Sequence, residues 1–208
     1  MFGFKRCEYS LFIVGYVQSF LNGEKVKMLN ISQKKIFCLE DVSIGKLLVA
    51  KSQKGICYTA LGDTTEQLLQ EFTVRFGDAQ QVVGDNAFKR EVAHIIAMIE
   101  TPKLVKKYNF SLDISGTVFQ RKVWARLCDI PCGKTISYEE LACRLGMPKA
   151  FRAVANACAR NELAIIIPCH RVVRKNGFIS GYRWGVKRKQ ILLQREQTEE
   201  IKNKFNLV

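Results

Sequence analysis

Residues 137–161, SYEELACRLGMPKAFRAVANACARN, give the clearest indication of the fold. Its serine can cap a helix, and Glu140 follows three residues later, as in a capping box. A Gly-Met-Pro break then separates this helix from a second one that is rich in alanine. Two helices joined by a tight turn that contains glycine predict a helix-turn-helix, a motif whose second helix can enter a DNA groove.

The second helix of this pair favours DNA binding over an ordinary helical hairpin. It carries Lys149, Arg152 and Arg160, which can approach phosphate groups. Most of the other positions are alanine: 150, 153, 155, 157 and 159. Small side chains let a helix backbone come close to a groove, but they also allow close packing against another helix. Both interpretations of the alanines stay open.

Upstream of this stretch the pattern predicts one more helix and an α/β domain. TVFQRKVWARLCDI, residues 117–130, has apolar residues on one helical face. GKLLVAKSQKGICYTAL, residues 45–61, reads as a β-hairpin. Helices are predicted at residues 64–76, with Thr64 as the cap, and at residues 86–100, and a strand at residues 107–115.

The predicted fold is therefore a small sheet with helices, followed by a mainly helical C-terminal domain with a helix-turn-helix. We place the α/β domain at residues 36–115, the helical domain at 116–200 and a tail at 201–208. Residues 1–35 are an extension of unknown role. Its apolar patch is too short to span a bilayer and lacks a small-residue cleavage site, so we expect a strand or an irregular segment rather than a signal peptide.

The charge of the chain predicts a polyanionic partner. Its net charge is +14, and residues 149–208 carry 13 Lys and Arg against 4 Asp and Glu. Nucleic acid is the first expectation and an anionic membrane the second, while a solvated basic surface is the alternative without a partner.

The eight cysteines do not suggest a disulfide framework, because a chain of 208 residues needs no such staples. The sequence contains no CxxC pair; Cys128 and Cys132 form only CDIPC. We expect most of the cysteines to be small buried residues in a reducing, cytoplasmic compartment. We expect His94 to be a core or surface residue rather than a zinc ligand.

The second informative stretch is IIIPCHRVVR, residues 165–174. It places Cys169, a nucleophile once its pKa is lowered, beside the base His170. Adjacent side chains in an extended segment point apart, so direct proton transfer between them needs a bridging water or a sharp turn at Pro168. Taken alone, a buried cysteine beside a surface histidine is the more economical interpretation.

The motif IPCHRVV, residues 167–173, resembles the active-site signature of the 6-O-alkylguanine-DNA alkyltransferases, the methylated-DNA–protein-cysteine methyltransferases. The similarity, to the bacterial forms above all, extends over residues 116–196 and more weakly back to about Asp41, about three quarters of the chain. This family repairs DNA by moving an alkyl group from guanine onto its own cysteine. The chain lacks the cysteine-rich module that precedes this domain in the adaptive-response regulator, so we do not expect a regulatory phosphotriester sensor.

The resemblance implies roles by position. Cys169 corresponds to the alkyl acceptor, His170 to the base that acts through a water, and Glu196 to the carboxylate that orients it. Tyr138 corresponds to the residue that assists guanine departure and contacts the phosphate of the flipped nucleotide. Arg152 corresponds to the arginine that fills the gap in the base stack.

The resemblance also implies supporting residues. Asn161 corresponds to the asparagine that braces the active-site turn, and Lys175 is placed with the DNA contacts. Val172 and Val173 are expected to line the base pocket, and the bulky Trp184 to narrow it. No metal and no organic cofactor are expected.

These expectations describe a single-use repair enzyme that acts as a monomer, without a membrane, on double-stranded DNA carrying 6-O-alkylguanine, and on 4-O-alkylthymine as well. The S-alkyl product is a thioether, which is not readily hydrolysed. Two alternatives differ in class. One is a non-catalytic protein that binds alkyl lesions, which the presence of Cys169 disfavours. The other is a cysteine hydrolase, which leaves the basic charge without a role.

Overall fold

The computed structural model describes residues 35–77, 80–81, 86–105, 108–179 and 181–197. These residues belong to one compact unit. The predicted extension at residues 1–35 lies outside the described residues except for Lys35, and so does the tail at 201–208. No helix within the described ranges is long and apolar enough to cross a membrane.

The N-terminal half is built on a four-stranded sheet in the order β3-β2-β1-β4. Its strands are β1 (Ile36–Val42), β2 (Gly45–Ser52), β3 (Gly55–Gly62) and β4 (Gln80–Gln81). The pairs β1–β2 and β2–β3 are antiparallel, and β1–β4 is parallel. The predicted hairpin is confirmed as β2 and β3. Strand β1 was not predicted, because its half-exposed residues give no clear apolar alternation.

Two helices flank this sheet as predicted: α1 (Thr65–Phe76) and α2 (Asn86–Glu100). The Thr64 hydroxyl accepts a hydrogen bond from the backbone N–H of Gln67 at 3.2 Å, which confirms the cap. The buried Phe72 of α1 contacts the rings of Phe37 and Tyr58 on the sheet. An apolar face at helical spacing therefore pins α1 to the sheet.

The strand predicted at residues 107–115 is wrong. Among its described residues, Leu112 makes a single bridge to Ile56 of β3, and no ladder extends from it. The Ile56 N–H donates to the carbonyl of Ser111, and the Asp113 N–H donates to the carbonyl of Ile56. The segment thus touches the edge of β3 at one point and then leaves it.

The C-terminal half is mainly helical. Its helices are α3 (Val118–Cys128), α4 (Tyr138–Arg144), α5 (Phe151–Ala159) and α6 (Val186–Glu196). Short 3-10 helices span Pro148–Ala150 and Cys169–Arg171, and two-residue strands β5 (Ile136–Ser137) and β6 (Val172–Val173) pair in parallel. A small sheet with helices followed by a helical region is the fold class that the sequence predicts.

Helix α4 begins and ends as the sequence indicates. The Ser137 hydroxyl accepts from the N–H of Glu140 at 3.0 Å, while the Glu140 carboxylate pairs with Arg144 rather than completing the box. Gly146, at φ +72°, takes the left-handed conformation that ends the helix and turns the chain toward α5.

The alanines of α5 divide between two environments. Ala157 is buried, and its carbonyl accepts a 2.8 Å hydrogen bond from the indole N–H of Trp124 on α3. Ala153 and Ala159 are exposed. One face of α5 therefore packs closely on α3, while the other is free for a partner.

Candidate active site

Cys169 lies at the start of a 3-10 turn beneath the surface. Pro168 directs the chain into this turn, and the Cys169 N–H donates to the carbonyl of Ile167 at 2.8 Å. The cysteine is only 5% exposed. Its thiol is thus held in a fixed position and largely shielded from bulk water.

Asn161 braces the turn that leads to the cysteine. Its side-chain amide donates to the carbonyl of Ile167 at 2.9 Å and to Sγ of Cys169 at 3.3 Å, while its Oδ1 accepts from the N–H of Leu163 at 2.9 Å. Asn161 is fully buried. One amide therefore fixes both the backbone of the turn and the reactive sulfur.

His170 and Glu196 form a buried pair. The Nε2 of His170 lies 2.9 Å from Oε1 of Glu196, and both side chains are almost fully buried. The other ring nitrogen, Nδ1, has no hydrogen-bond partner among the described residues. One nitrogen is oriented by the carboxylate, and the other is free to exchange a proton.

Arg171 holds the same carboxylate from the other side. Its Nε donates to Oε2 of Glu196 at 2.8 Å, and a terminal nitrogen donates to Oε1 at 2.9 Å. A further nitrogen donates to the carbonyl of Ile130 at 2.7 Å. The N–H of Gly133 also donates to Oε2. The carboxylate is thus fixed in place at four points, counting His170.

These contacts set the charges in the site. Burial alone would raise the pKa of Glu196, but the hydrogen bonds and charges of His170 and Arg171 outweigh it and lower the pKa from 4.5 to about 2. Burial lowers the pKa of His170 despite its carboxylate partner. At neutral pH the pair is therefore an ionised carboxylate and a neutral imidazole that can accept a proton.

Burial shifts the pKa values of Cys169 and the nearby Lys189 in opposite directions. Burial raises the pKa of Cys169, while the hydrogen bond from Asn161 and the charge of Lys189 oppose that rise. Burial lowers the pKa of Lys189 from 10.5 to about 8. The Nζ of Lys189 donates to the carbonyl of Val172 at 2.6 Å. A buried cation thus stands where it favours the thiolate.

A cleft of about 970 Å³ opens over the cysteine. Its lining includes two phenols, two thiols and several cations: Tyr138, Tyr182, Cys158, Cys169, Arg152, Arg174, Lys175 and Arg183. Burial raises the pKa of Tyr138 to about 12, so its hydroxyl keeps its proton at neutral pH. The cleft brings the predicted Tyr138, Arg152 and Lys175 to the same surface as the thiol.

The three residues predicted for the base pocket lie deeper. Val172 and Val173 are buried in β6, next to the cleft in sequence but not among its lining side chains. Trp184 is also buried and packs edge-on against Tyr182, which does line the cleft, at a centroid distance of 5.2 Å. Trp184 thus supports the wall from behind.

Sequence reasoning missed Lys189 and the role of Arg171. Lys189 lies within the basic run VKRK, which suggests an exposed helix end. Its spacing is the available signal, because it falls at helical intervals with Leu192, Leu193 and Glu196 on the buried face of α6. Within the described part of the chain, no cluster of three His, Cys, Asp or Glu side chains could hold a metal ion. The His94 ring contacts the ring of Tyr108 at a tilt and that of Phe110 edge-to-face.

Comparison with known proteins places these features in context. The family model described as 6-O-methylguanine DNA methyltransferase, DNA binding domain, matches residues 118–198. That interval contains Tyr138, Cys169 and Glu196.

Two kinds of relative share this sequence. A methylated-DNA–protein-cysteine methyltransferase of Debaryomyces hansenii is 37% identical over 173 residues, which cover 78% of this chain and 91% of the relative. The bifunctional transcriptional activator/DNA repair enzyme Ada of Escherichia coli is 49% identical over 167 residues, 79% of this chain but only 46% of that protein. The chain thus spans about half the length of the Ada relatives that it matches.

Solved structures share the fold. A crystal structure of Mycobacterium tuberculosis OGT in complex with DNA superposes with a TM-score of 0.66 at 33% identity, covering 78% of this chain and 92% of that one. The M. tuberculosis O6-methylguanine methyltransferase gives a TM-score of 0.64 at 31% identity, covering 78% and 93%.

Proposed function

This chain belongs to the methylated-DNA–protein-cysteine methyltransferase family, and we propose that it repairs DNA by moving the alkyl group of O6-alkylguanine onto its own Cys169. The observation that carries the proposal is a thiol that lines a cleft rich in cations and is followed in the chain by the histidine of a buried histidine–carboxylate pair. Attack by sulfur forms a bond to the alkyl carbon and breaks the bond from that carbon to the guanine oxygen.

The thiol proton leaves through His170. Sγ of Cys169 accepts a hydrogen bond from Asn161, and Nδ1 of His170 has no hydrogen-bond partner among the described groups. We therefore place one bridging water between Sγ of Cys169 and Nδ1 of His170. Glu196 fixes the ring and stabilises the imidazolium that forms. This relay explains how neighbouring residues that point apart can still exchange a proton.

Tyr138 acts on the leaving group. Its hydroxyl is protonated at neutral pH, and burial raises its pKa further above neutrality, to about 12. A donor of this kind stabilises negative charge as guanine departs. The thiol gives up one proton and the departing guanine takes up one, so the protons balance over the whole reaction. The product is a thioether, which does not hydrolyse readily, and each molecule therefore acts once.

DNA reaches the site by nucleotide flipping. The alkyl carbon is inaccessible inside a duplex, so the lesion must leave the base stack. Helices α4 and α5 form the helix-turn-helix, and exposed Arg152 on α5 enters the space that the base vacates. Lys175 at the cleft rim contacts phosphate. Lesioned double-stranded DNA is thus the partner, and the protein acts as a monomer.

The wall of the cleft sets substrate range. Val172 and Val173 lie behind the residues that line the cleft, so we place their backbone close to the flipped base, and Trp184 narrows the pocket through its contact with Tyr182. O4-alkylthymine is a second substrate with the same type of alkyl–oxygen bond.

We also propose that residues 36–115 and 116–200 form two domains. We place the action of the protein in the cytoplasm.

A titration tests this function. Increasing amounts of duplex with a single O6-methylguanine are added to a fixed amount of protein, and restored guanine is counted. The yield should reach a plateau at about one per protein molecule, and Cys169→Ser should restore none. Continued turnover would indicate a hydrolase instead, and binding without transfer would indicate a lesion-binding protein.

A further inference from the structure

We infer that Thr59, on strand β3 of the N-terminal sheet, is a positioning residue for alkyl transfer, because its hydroxyl fixes the turn of residues 161–168 that presents Cys169. The inference rests on the proposed function and adds to it a residue outside the helical half.

Strand β3 lies at the edge of the sheet, yet all eight of its residues are buried. The edge is covered partly by the turn of residues 161–168. The N–H of Thr59 donates to the carbonyl of Glu162 at 2.9 Å, and the N–H of Ala164 donates to the carbonyl of Thr59 at 3.0 Å. An edge strand offers unpaired backbone groups, and here the active-site turn uses them.

The Thr59 side chain adds a third bond at the same place. Its hydroxyl donates to the carbonyl of Ala164 at 2.7 Å, and the residue is fully buried. Ala164 is therefore held at both its N–H and its carbonyl by one residue. Because the N–H of Ile166 also donates to that carbonyl, loss of the hydroxyl alone leaves no acceptor unpaired.

The turn needs this support because the next residue is strained. Ile165 has φ +71°, and it is the only residue other than glycine with positive φ in the described ranges. A β-branched side chain in the left-handed region is an outlier that persists only where the surroundings impose it. Thr59 holds the residue immediately before it.

The strained turn also carries the contacts of the sulfur. Asn161 at its start donates both to the carbonyl of Ile167 and to Sγ of Cys169. A shift of Ala164 would move Ile167 relative to Asn161, since the N–H of Ile167 donates to the carbonyl of Leu163. Thr59 thus acts on the thiol through the turn and touches no substrate itself.

The test compares Thr59→Val, which keeps the shape and removes the hydroxyl, with Thr59→Ser, which keeps the hydroxyl. Single-turnover transfer from O6-methylguanine duplex is measured over a range of DNA concentrations. We expect Thr59→Val to lower the rate constant at saturating DNA about fivefold, the equivalent of one hydrogen bond, and to leave the half-saturating concentration unchanged. Thr59→Ser should keep a rate close to that of the parent.

Ser52→Ala is the matched control, because it removes another buried hydroxyl of the same sheet. The Ser52 hydroxyl donates a hydrogen bond to Asp113, outside the turn of residues 161–168. The substitution should lower the melting temperature without lowering the saturated rate. An unchanged rate in Thr59→Val, or an equal loss in Thr59→Ser or Ser52→Ala, would overturn the inference. No transfer by the parent protein would instead refute the proposed function.

Discussion

Glu196 is a residue whose environment in the structure differs from the one that its sequence position suggests. At the end of a basic helix, its position suggests a solvated charge, and only family resemblance gives it a role. The structure buries it between His170 and Arg171. An ionised carboxylate is tolerated there because three side-chain hydrogen bonds and a cation replace its lost hydration.

Replacing Glu196 with glutamine should destabilise the protein at neutral pH by about 3 kcal/mol, because the Arg171 cation loses its buried partner. Thermal or urea unfolding measures the change. Glu140→Gln is the matched control: its ion pair with Arg144 is about half exposed, so it should cost less than about 1 kcal/mol. Equal losses in the two variants would contradict the buried pair.

The lowered pKa of Glu196 predicts how the stability of the fold depends on pH. This pKa is about 2 in the folded protein and near 4.5 when unfolded. The ionised pair therefore stabilises the fold fully above pH 4.5, and this contribution is lost as the pH falls toward 2. Over that interval Glu196→Gln should lose about 3 kcal/mol less stability than the parent in urea unfolding. Parallel losses would contradict the lowered pKa.

Single residues were predictable where the motif is local, and less so where contacts come from elsewhere. The adjacency of Cys169 and His170 already indicated that proton transfer between them needs a bridging water or a sharp turn at Pro168. Lys189 and Thr59 act through the carbonyls of distant segments, and no pattern in their own neighbourhood indicates those partners.

At the level of elements, periodicity predicted the long helices and the hairpin. It failed for β5 and β6, since two residues are too few to show any period, and for residues 107–115, where an apolar alternation meets only one bridge. The hairpin of α4 and α5 was predicted with its turn, because the cap and glycine signals are local.

The proposed position of Arg152 on α5 predicts its effect on nucleotide flipping. Arg152→Ala should slow single-turnover transfer from duplex DNA about tenfold, because the vacated stack is no longer filled. Transfer from a single strand should change much less, since no pair is broken there. Arg160→Ala is the control, as this exposed arginine ends the same helix but is not among the residues that line the cleft. Equal losses on both substrates would contradict the role of Arg152.

For the whole molecule, the net charge of +14 favours binding to a polyanion, and the number of phosphate contacts sets how that binding responds to salt. The logarithm of the affinity for duplex DNA should fall linearly with the logarithm of salt concentration. Lys175→Ala should reduce that slope by about 1, as expected when one phosphate contact is lost. Lys122→Ala removes an exposed lysine of α3 that is not among the cleft residues and should leave the slope unchanged. A slope unaffected by Lys175→Ala would exclude it from the interface.

The two halves of the molecule divide the work. The helical half holds Cys169, the proposed proton relay and the cleft, while the edge of β3 forms hydrogen bonds to the turn of residues 161–168. Sequence patterns predicted both halves but not this junction, because it joins residues more than a hundred positions apart.

Peptide mapping shows which cysteine accepts the alkyl group. The protein is reacted to completion with duplex DNA that carries O6-methylguanine and is then digested, and each of its eight cysteines is examined by mass spectrometry. The account predicts one methyl group on the peptide that contains Cys169 and none on the other seven. A methyl group on a different cysteine, or restored guanine with an unmodified Cys169, would contradict it.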